Sequence, residues 1–176
     1  MPTYVALLRG VNVGRNTLKM DRLRTLCSEL GAKNVRTYVQ SGNVVFEAQG
    51  TPSQWAAKLE RKLASEARLP ISVIVRTAAE VSRIVSGNPF LKEKGIDTAR
   101  LAVTFLQEAP SKAALQALGA LEIGSERFHC AGKDIYIHCP EGFADAKLYS
   151  IDKVLQQKTT TRNWNTVNKL HEMCQE

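Results

Sequence analysis

Four stretches of the chain hold residue types that could do chemistry. RGVNVGRN, Arg9 to Asn16, combines two arginines, two asparagines and two glycines. Glycine takes positive φ or lets a ligand approach the backbone closely, and asparagine tolerates similar conformations. The arginines can hold phosphate or carboxylate through paired N–H donors. TTTRNWNTVNKL, Thr159 to Leu170, sets Arg162 and three asparagines beside Trp164 among threonines. Asn163, Asn165 and Thr166 are all good helix caps. Capping needs only one of them, and an arginine at a helix start opposes the dipole, so Arg162 is expected to face an acid or a bound anion. TYVQSGN, Thr37 to Asn43, has a polar hairpin tip. FHCAGKDIYIHC, Phe128 to Cys139, pairs His with Cys twice and raises the question of a metal.

The metal reading fails on alternation. Successive strand residues point to opposite faces, so His129 and His138 share one side with Arg127 and Tyr136, while Cys130 and Cys139 lie with Phe128, Ile135 and Ile137. Two histidines without a third and fourth ligand do not make a structural zinc site. No metal and no cofactor is expected. The first loop matches neither the Walker A pattern nor G-x-G-x-x-G, so any anion there would be held by Arg9, Asn12 and Asn16 and by a helix N-terminus, not by a nucleotide fingerprint. A well-made turn with solvated arginines is the competing reading.

The elements that must position these residues are legible from pattern. Thr3 to Arg9 reads as a strand. Met20, Leu23, Leu26, Cys27 and Leu30 recur at helical spacing, with Gly31 as a stop. Strands Val35–Gln40 and Val44–Ala48 flank SGN. Thr51-Pro52-Ser53-Gln54 is a capping box with proline at the first helical position, and Ile71–Arg76 closes the unit as a strand. The order strand, helix, strand, strand, helix, strand is a ferredoxin-like α/β plait. A helix opened by Thr77–Glu80 and the loop GNPFLKEKGID follow. A second, less regular round then runs from Leu101, with a helix over Leu148, Ile151, Val154 and Leu155, TTTR as a short strand and an added C-terminal helix. The fold class is α+β: two antiparallel plait subdomains at 1–76 and 101–176, joined by a helix and loop at 77–100. In such a plait Arg36 and Tyr38 are expected beside the glycine loop, with Ser41, Gly42 and Asn43 at the opposite end of the sheet.

Composition narrows the partners. Lys and Arg outnumber Asp and Glu by 24 to 17, a net charge of +7 that favours anionic ligands. No run approaches the roughly 18 apolar residues that span a bilayer, so no membrane is expected. The start, Met1-Pro2-Thr3-Tyr4, lacks the basic and apolar regions of a secretory signal, which points to the cytoplasm. Cys27, Cys130, Cys139 and Cys174 form no C-x-x-C pair and are expected as free thiols. The strand pattern SGNVVFEA has only Phe46 where an RNA-recognition sheet needs several aromatics.

Taken together, YVALLRGVNVGRN, VRTYVQSGNVVF, NPF and TTTRNWNTVNKL resemble the bacterial domain-of-unknown-function 1697 family across nearly the whole chain. The resemblance implies two α/β-plait subdomains and no established activity. Its positions here include Arg9, Asn12, Asn16, Tyr38, Lys147, Arg162 and Asn163. Two departures stand out: the first loop has one glycine fewer than the family pattern, and Ala146 replaces a serine before Lys147-Leu148. The residues and the resemblance together suggest binding of an anionic small molecule, such as a nucleotide or sugar phosphate, by Arg9, Asn12, Asn16, Tyr38, Lys147, Arg162 and Asn163. An enzyme acting on a small phosphorylated substrate, a nucleic-acid binder and a protein-interaction module are the alternatives. Oligomeric state is not legible.

Overall fold

The structure, a computed structural model, describes residues 1–39, 42–149 and 151–176. The chain divides into two compact units, Met1–Arg83 with Leu170–Glu176, and Ile84–Lys169.

In the first unit β1 (Thr3–Leu8), α1 (Met20–Glu29), β2 (Lys33–Tyr38), β3 (Asn43–Glu47), α2 (Pro52–Glu66) and β4 (Val73–Thr77) build a sheet of order β2-β3-β1-β4, antiparallel throughout. The second unit repeats the plan after α3 (Ala78–Ser86). It has β5 (Leu101–Leu106), α4 (Lys112–Gly119), β6 (Arg127–Ala131), β7 (Asp134–His138), α5 (Asp152–Leu155) and β8 (Thr159–Asn163), in order β6-β7-β5-β8. Two four-stranded antiparallel sheets with helices form two ferredoxin-like subdomains. α6 (Trp164–Cys174) follows β8 directly.

Local chemistry sets the element starts. The Thr51 hydroxyl accepts from Gln54 N at 3.2 Å while Gln54 Oε1 accepts from Thr51 N at 3.0 Å. Thr77 and Glu80 make the same reciprocal pair at 3.1 and 2.7 Å. Each satisfies amides that the first helical turn leaves unpaired. The helix expected from Leu148 to Leu155 is broken: a 3-10 turn spans Lys147–Tyr149, and α5 lasts four residues before Gln156 takes φ +56°. Asp152 accounts for the short length, since its carboxylate accepts from the Thr159 hydroxyl at 2.8 Å and draws the chain into β8.

In the first unit Tyr4, Ala6, Leu8, Val44, Phe46 and Val75 pack against Leu23, Leu26, Trp55, Leu59 and Leu63 of the helices. The other face of this sheet is also buried at Val5, Leu7, Val45, Ile74 and Arg76. Burial on both faces explains why β1 reads as an unbroken apolar run instead of alternating. Part of that second face is met by the 170–176 segment: Arg36 donates to the Met173 carbonyl at 2.7 Å and pairs with Glu176 at 2.5 Å. In the second unit Ala102, Leu106, Ile135, Ile137 and Cys139 pack with Ala114, Leu118, Leu148 and Ile151.

Candidate functional site

β1 ends by carrying Arg9 into the first loop, where Arg9 N donates to Ser72 O at 3.0 Å. Gly10, Asn12 and Gly14 all adopt positive φ, at +72°, +58° and +62°. Asn12 is the keystone of the loop. Its Nδ2 donates to Leu18 O at 3.0 Å, and its Oδ1 accepts from Leu18 N at 2.8 Å. Both ends of one amide thus close a seven-residue span, with Val11 and Leu18 buried beneath it. Asn16 Nδ2 lies 3.9 Å from the position a Cβ on Gly10 would take. α1 then begins at Met20, and its N-cap Lys19 supplies no side-chain cap, so the helix presents its first amides without a side-chain acceptor from the N-cap.

Gly42 and Asn43 lie at this same end of the sheet, which corrects the sequence expectation for them. β3 runs antiparallel to β1 with Leu7 opposite Asn43, and Leu8 N donates to Gly42 O at 2.9 Å. In this topology β2 runs parallel to β1, so the end of β2, and not its start, meets the end of β1. Tyr38 therefore stands at the loop end, opposite Asn43, while Arg36 sits further along and is held by Met173 and Glu176. Asn43 is fully buried and donates to Tyr38 O at 2.9 Å. Gly42 is clamped: a Cβ there would fall 2.8 Å from Leu8 Cβ and 3.4 Å from Val11 Cβ. Gln40 and Ser41 lie outside the described residues. Arg9, Asn12, Asn16 and Tyr38 thus belong to one end of one sheet.

The remaining expected residues are in the second unit and have work within it. Arg162 is buried on β8, where its Nη1 donates to the Thr160 hydroxyl at 2.7 Å and to Thr161 O at 3.1 Å. Burial lowers its guanidinium to about 10, with Tyr149 pulling the other way. Asn163 caps α6, its Oδ1 accepting from Thr166 N at 2.8 Å, and Trp164 enters the interior directly after it. Thr161 bonds Thr104 at 2.8 Å across the β5–β8 ladder. Lys147 Nζ donates to Glu122 O at 2.6 Å, and Lys147 N donates to Glu126 at 3.0 Å. It lines a cavity of about 430 Å³ whose other charged lining residues are Glu126, Glu141 and Asp145, so its surroundings are acidic.

Sequence reading placed Arg127 and His138 on one face but missed Glu93 and Phe90, which complete a second polar cluster. Arg127 forms a two-pronged pair with Glu93 at 2.8 and 2.9 Å, lies 5.0 Å over the Phe90 ring, and reaches His138 Nδ1 at 2.9 Å. Burial lowers the His138 pKa below its ordinary value, and the Arg127 charge lowers it further. Glu93 was invisible because it lies 34 residues before its partner, and Pro89-Phe90 in the connecting loop was the only hint. On the opposite face burial pushes the Cys139 thiol up to about 12, with Glu126 adding to the effect. Among the described residues no group of three or more His, Cys, Asp or Glu is placed to hold a metal ion. No helix among them is long and apolar enough to cross a membrane.

The family model described as "Protein of unknown function (DUF1697)" matches residues 1–136, about three quarters of the chain. The chain belongs to this family. The DUF1697 match takes in the whole first loop, the hairpin tip and the Glu93–Arg127 pair. Among solved structures, that of the conserved bacterial protein SP0830 from Streptococcus pneumoniae aligns with 100% of this DUF1697 chain and 99% of its own, with a TM-score of 0.82 and 24% identity. At that identity the likeness shows the fold. No curated protein matches.

Proposed function

We propose that the first unit binds a phosphorylated or otherwise anionic small molecule at the loop end of its sheet. Arg9, Arg15, Asn16 and Tyr38 face the ligand in this reading, and Asn12 holds the loop in shape. One observation carries it: residues 9–19, which leave the end of β1, hold Arg9, Arg15 and Lys19 and no Asp or Glu, while Glu60, the carboxylate at the start of β4, is engaged by Val73 N at 2.9 Å. The charge of the chain is also uneven. Residues 1–83 with 170–176 contain 13 Lys and Arg against 8 Asp and Glu, whereas 84–169 contain 11 against 9. Left-handed Gly10, Asn12 and Gly14 turn the loop back on itself, and the N-terminus of α1 follows with the positive end of its dipole. Arg162, Asn163 and Lys147, occupied within the second unit, are not needed.

The test is titration calorimetry with inorganic phosphate, nucleoside mono- and triphosphates and hexose phosphates. Saturable binding to one of these, weakened at least tenfold by Arg9→Ala with Arg15→Ala and reduced by added salt, is the expected result. No saturable binding, or binding indifferent to the double substitution, would sink the reading. A steep salt slope with single-stranded or duplex nucleic acid, in place of small-molecule binding, would transfer the site to a polymeric anion.

A further inference from the structure

The two plaits have equivalent hairpin edges, β2 and β6, and only one is defended. β2 breaks register between Lys33 and Arg36, turns Asn34 to φ +50°, and has Arg36 bound to Glu176. Bulges and charges of this kind keep a sheet edge from pairing with another chain. β6 pairs with β7 in five consecutive steps, Arg127↔His138 through Ala131↔Asp134, without bulge or proline.

The phase of its unpaired groups follows from the ladder. Cys139 N donates to Arg100 O and Leu106 N to Lys133 O, so the odd-numbered residues of β7 turn their main chain toward β5. The even-numbered residues Asp134, Tyr136 and His138 therefore bond Ala131, His129 and Arg127. The N–H and C=O groups of Phe128 and Cys130 point away from the sheet and have no partner among the described residues. A shallow groove of about 450 Å³, whose lining includes Phe90, Glu93, Ile123, Arg127 and His129, adjoins Phe128.

We infer that β6 pairs with β6 of a second copy of this chain, antiparallel about a two-fold axis at His129, joining two sheets into one of eight strands. In that register Phe128 lies opposite Cys130 of the other copy, and the two exchange both main-chain hydrogen bonds. The axis repeats the exchange, giving a self-complementary set. Phe128 then packs beside Cys130 on the apolar face, and Arg127 meets Ala131 with no like charge opposite it. The register carries Lys133 of each copy to the level of Ser125, next to Glu126 of the other. The unit that bears the edge is also nearly neutral, at 11 Lys and Arg against 9 Asp and Glu, so two copies meet there with little repulsion. Five-residue strands make a small interface, at the weak end of protein association, so the dimer fills only at high protein concentration.

Sedimentation velocity and amide hydrogen exchange on the intact chain, at concentrations up to about 1 mM, test this. The expected result is a concentration-dependent dimer in which the Phe128 and Cys130 amides gain protection as the dimer fills. His129→Lys and His129→Glu each place like charges opposite one another at the axis and each weaken association at least tenfold, while an equimolar mixture of the two restores it. The mixture separates lost pairing from lost folding. A chain that stays monomeric overturns the proposal. So does a dimer that leaves the Phe128 and Cys130 amides exchanging freely, or that is indifferent to both His129 substitutions. Protection of those amides only when an extended peptide of another protein is added would assign the edge to that partner instead.

Discussion

Gly42→Ala is the sharpest perturbation of the proposed site. Gly42 has φ +81°, a conformation that costs an L-residue about 1–2 kcal/mol. The added methyl would also sit 2.8 Å from Leu8 Cβ, an atom fixed to the β1 backbone that cannot swing aside. Overpacking of this kind costs about 1–3 kcal/mol. The two effects predict a loss of about 2–5 kcal/mol from the first unit, or about 4–20 °C in midpoint for a chain of this size. Gly14→Ala is the control, because it has φ +62° with nothing within 4 Å of its Cβ, so it keeps the conformational cost and omits the clash. Urea unfolding in a Trp164→Phe background leaves Trp55, buried in the first core, as the fluorescent reporter. Gly42→Ala should lose at least about 1 kcal/mol more than Gly14→Ala, and it should weaken phosphate binding as the tip lifts from Leu8 and Val11. Equal losses in the two variants would show that the hairpin tip is not clamped, and the geometry argued for the loop end would fall with it.

Asn12→Ala should cost about 2 kcal/mol through lost Leu18 bonds and a strained φ, and Asn12→Gly about half that because the conformation survives; thermal unfolding separates them. His138 has a folded-state pKa below 6.5, so the unfolded chain takes up the proton more readily. Its contribution is therefore complete above that value and lost as pH falls through it toward the folded pKa, and the second unit's melting midpoint should drop from about pH 7 to about pH 5 less in His138→Gln than in the wild type. Cys27 and Cys139, both fully buried with thiols pushed up to about 12, should resist iodoacetamide at about pH 8 until the chain unfolds, as read by mass spectrometry. Removing the Glu126 carboxylate, which accepts from Lys147 N at 3.0 Å and Leu148 N at 2.9 Å, should cost about 2 kcal/mol in Glu126→Ala, measured by urea titration.

The plan of the fold was legible because its signals are local. Thr51–Gln54 and Thr77–Glu80 are reciprocal caps written within four residues, and Gly132 at the first central position of a two-residue turn marks the β6–β7 hairpin. Alternation also sorted Cys139 and Ile137 to one face and Arg127 and His138 to the other. What failed were relations between distant segments. The end of the sheet that receives Gly42 and Asn43 follows from the plait itself, in which β2 runs parallel to β1, and the sequence reading took the wrong direction. Arg36 reads as a solvated cation until Glu176, 140 residues later, is beside it. Arg162 reads as a group awaiting an anion, and the structure adds that Thr160 and Thr161, its immediate neighbours, accept hydrogen bonds from it. Short polar residues around an arginine carry the same sequence signature whether they line a pocket or fill an interior.

The small segment that completes the first unit is encoded after the whole of the second. During synthesis residues 1–83 leave the ribosome long before residues 170–176 exist, so Arg36 and the part of the sheet that this segment meets wait for it while roughly ninety further residues are translated. The first unit is thus a provisional structure, open to chaperones and to wrong neighbours, and its native form is sealed by residues translated after the second unit.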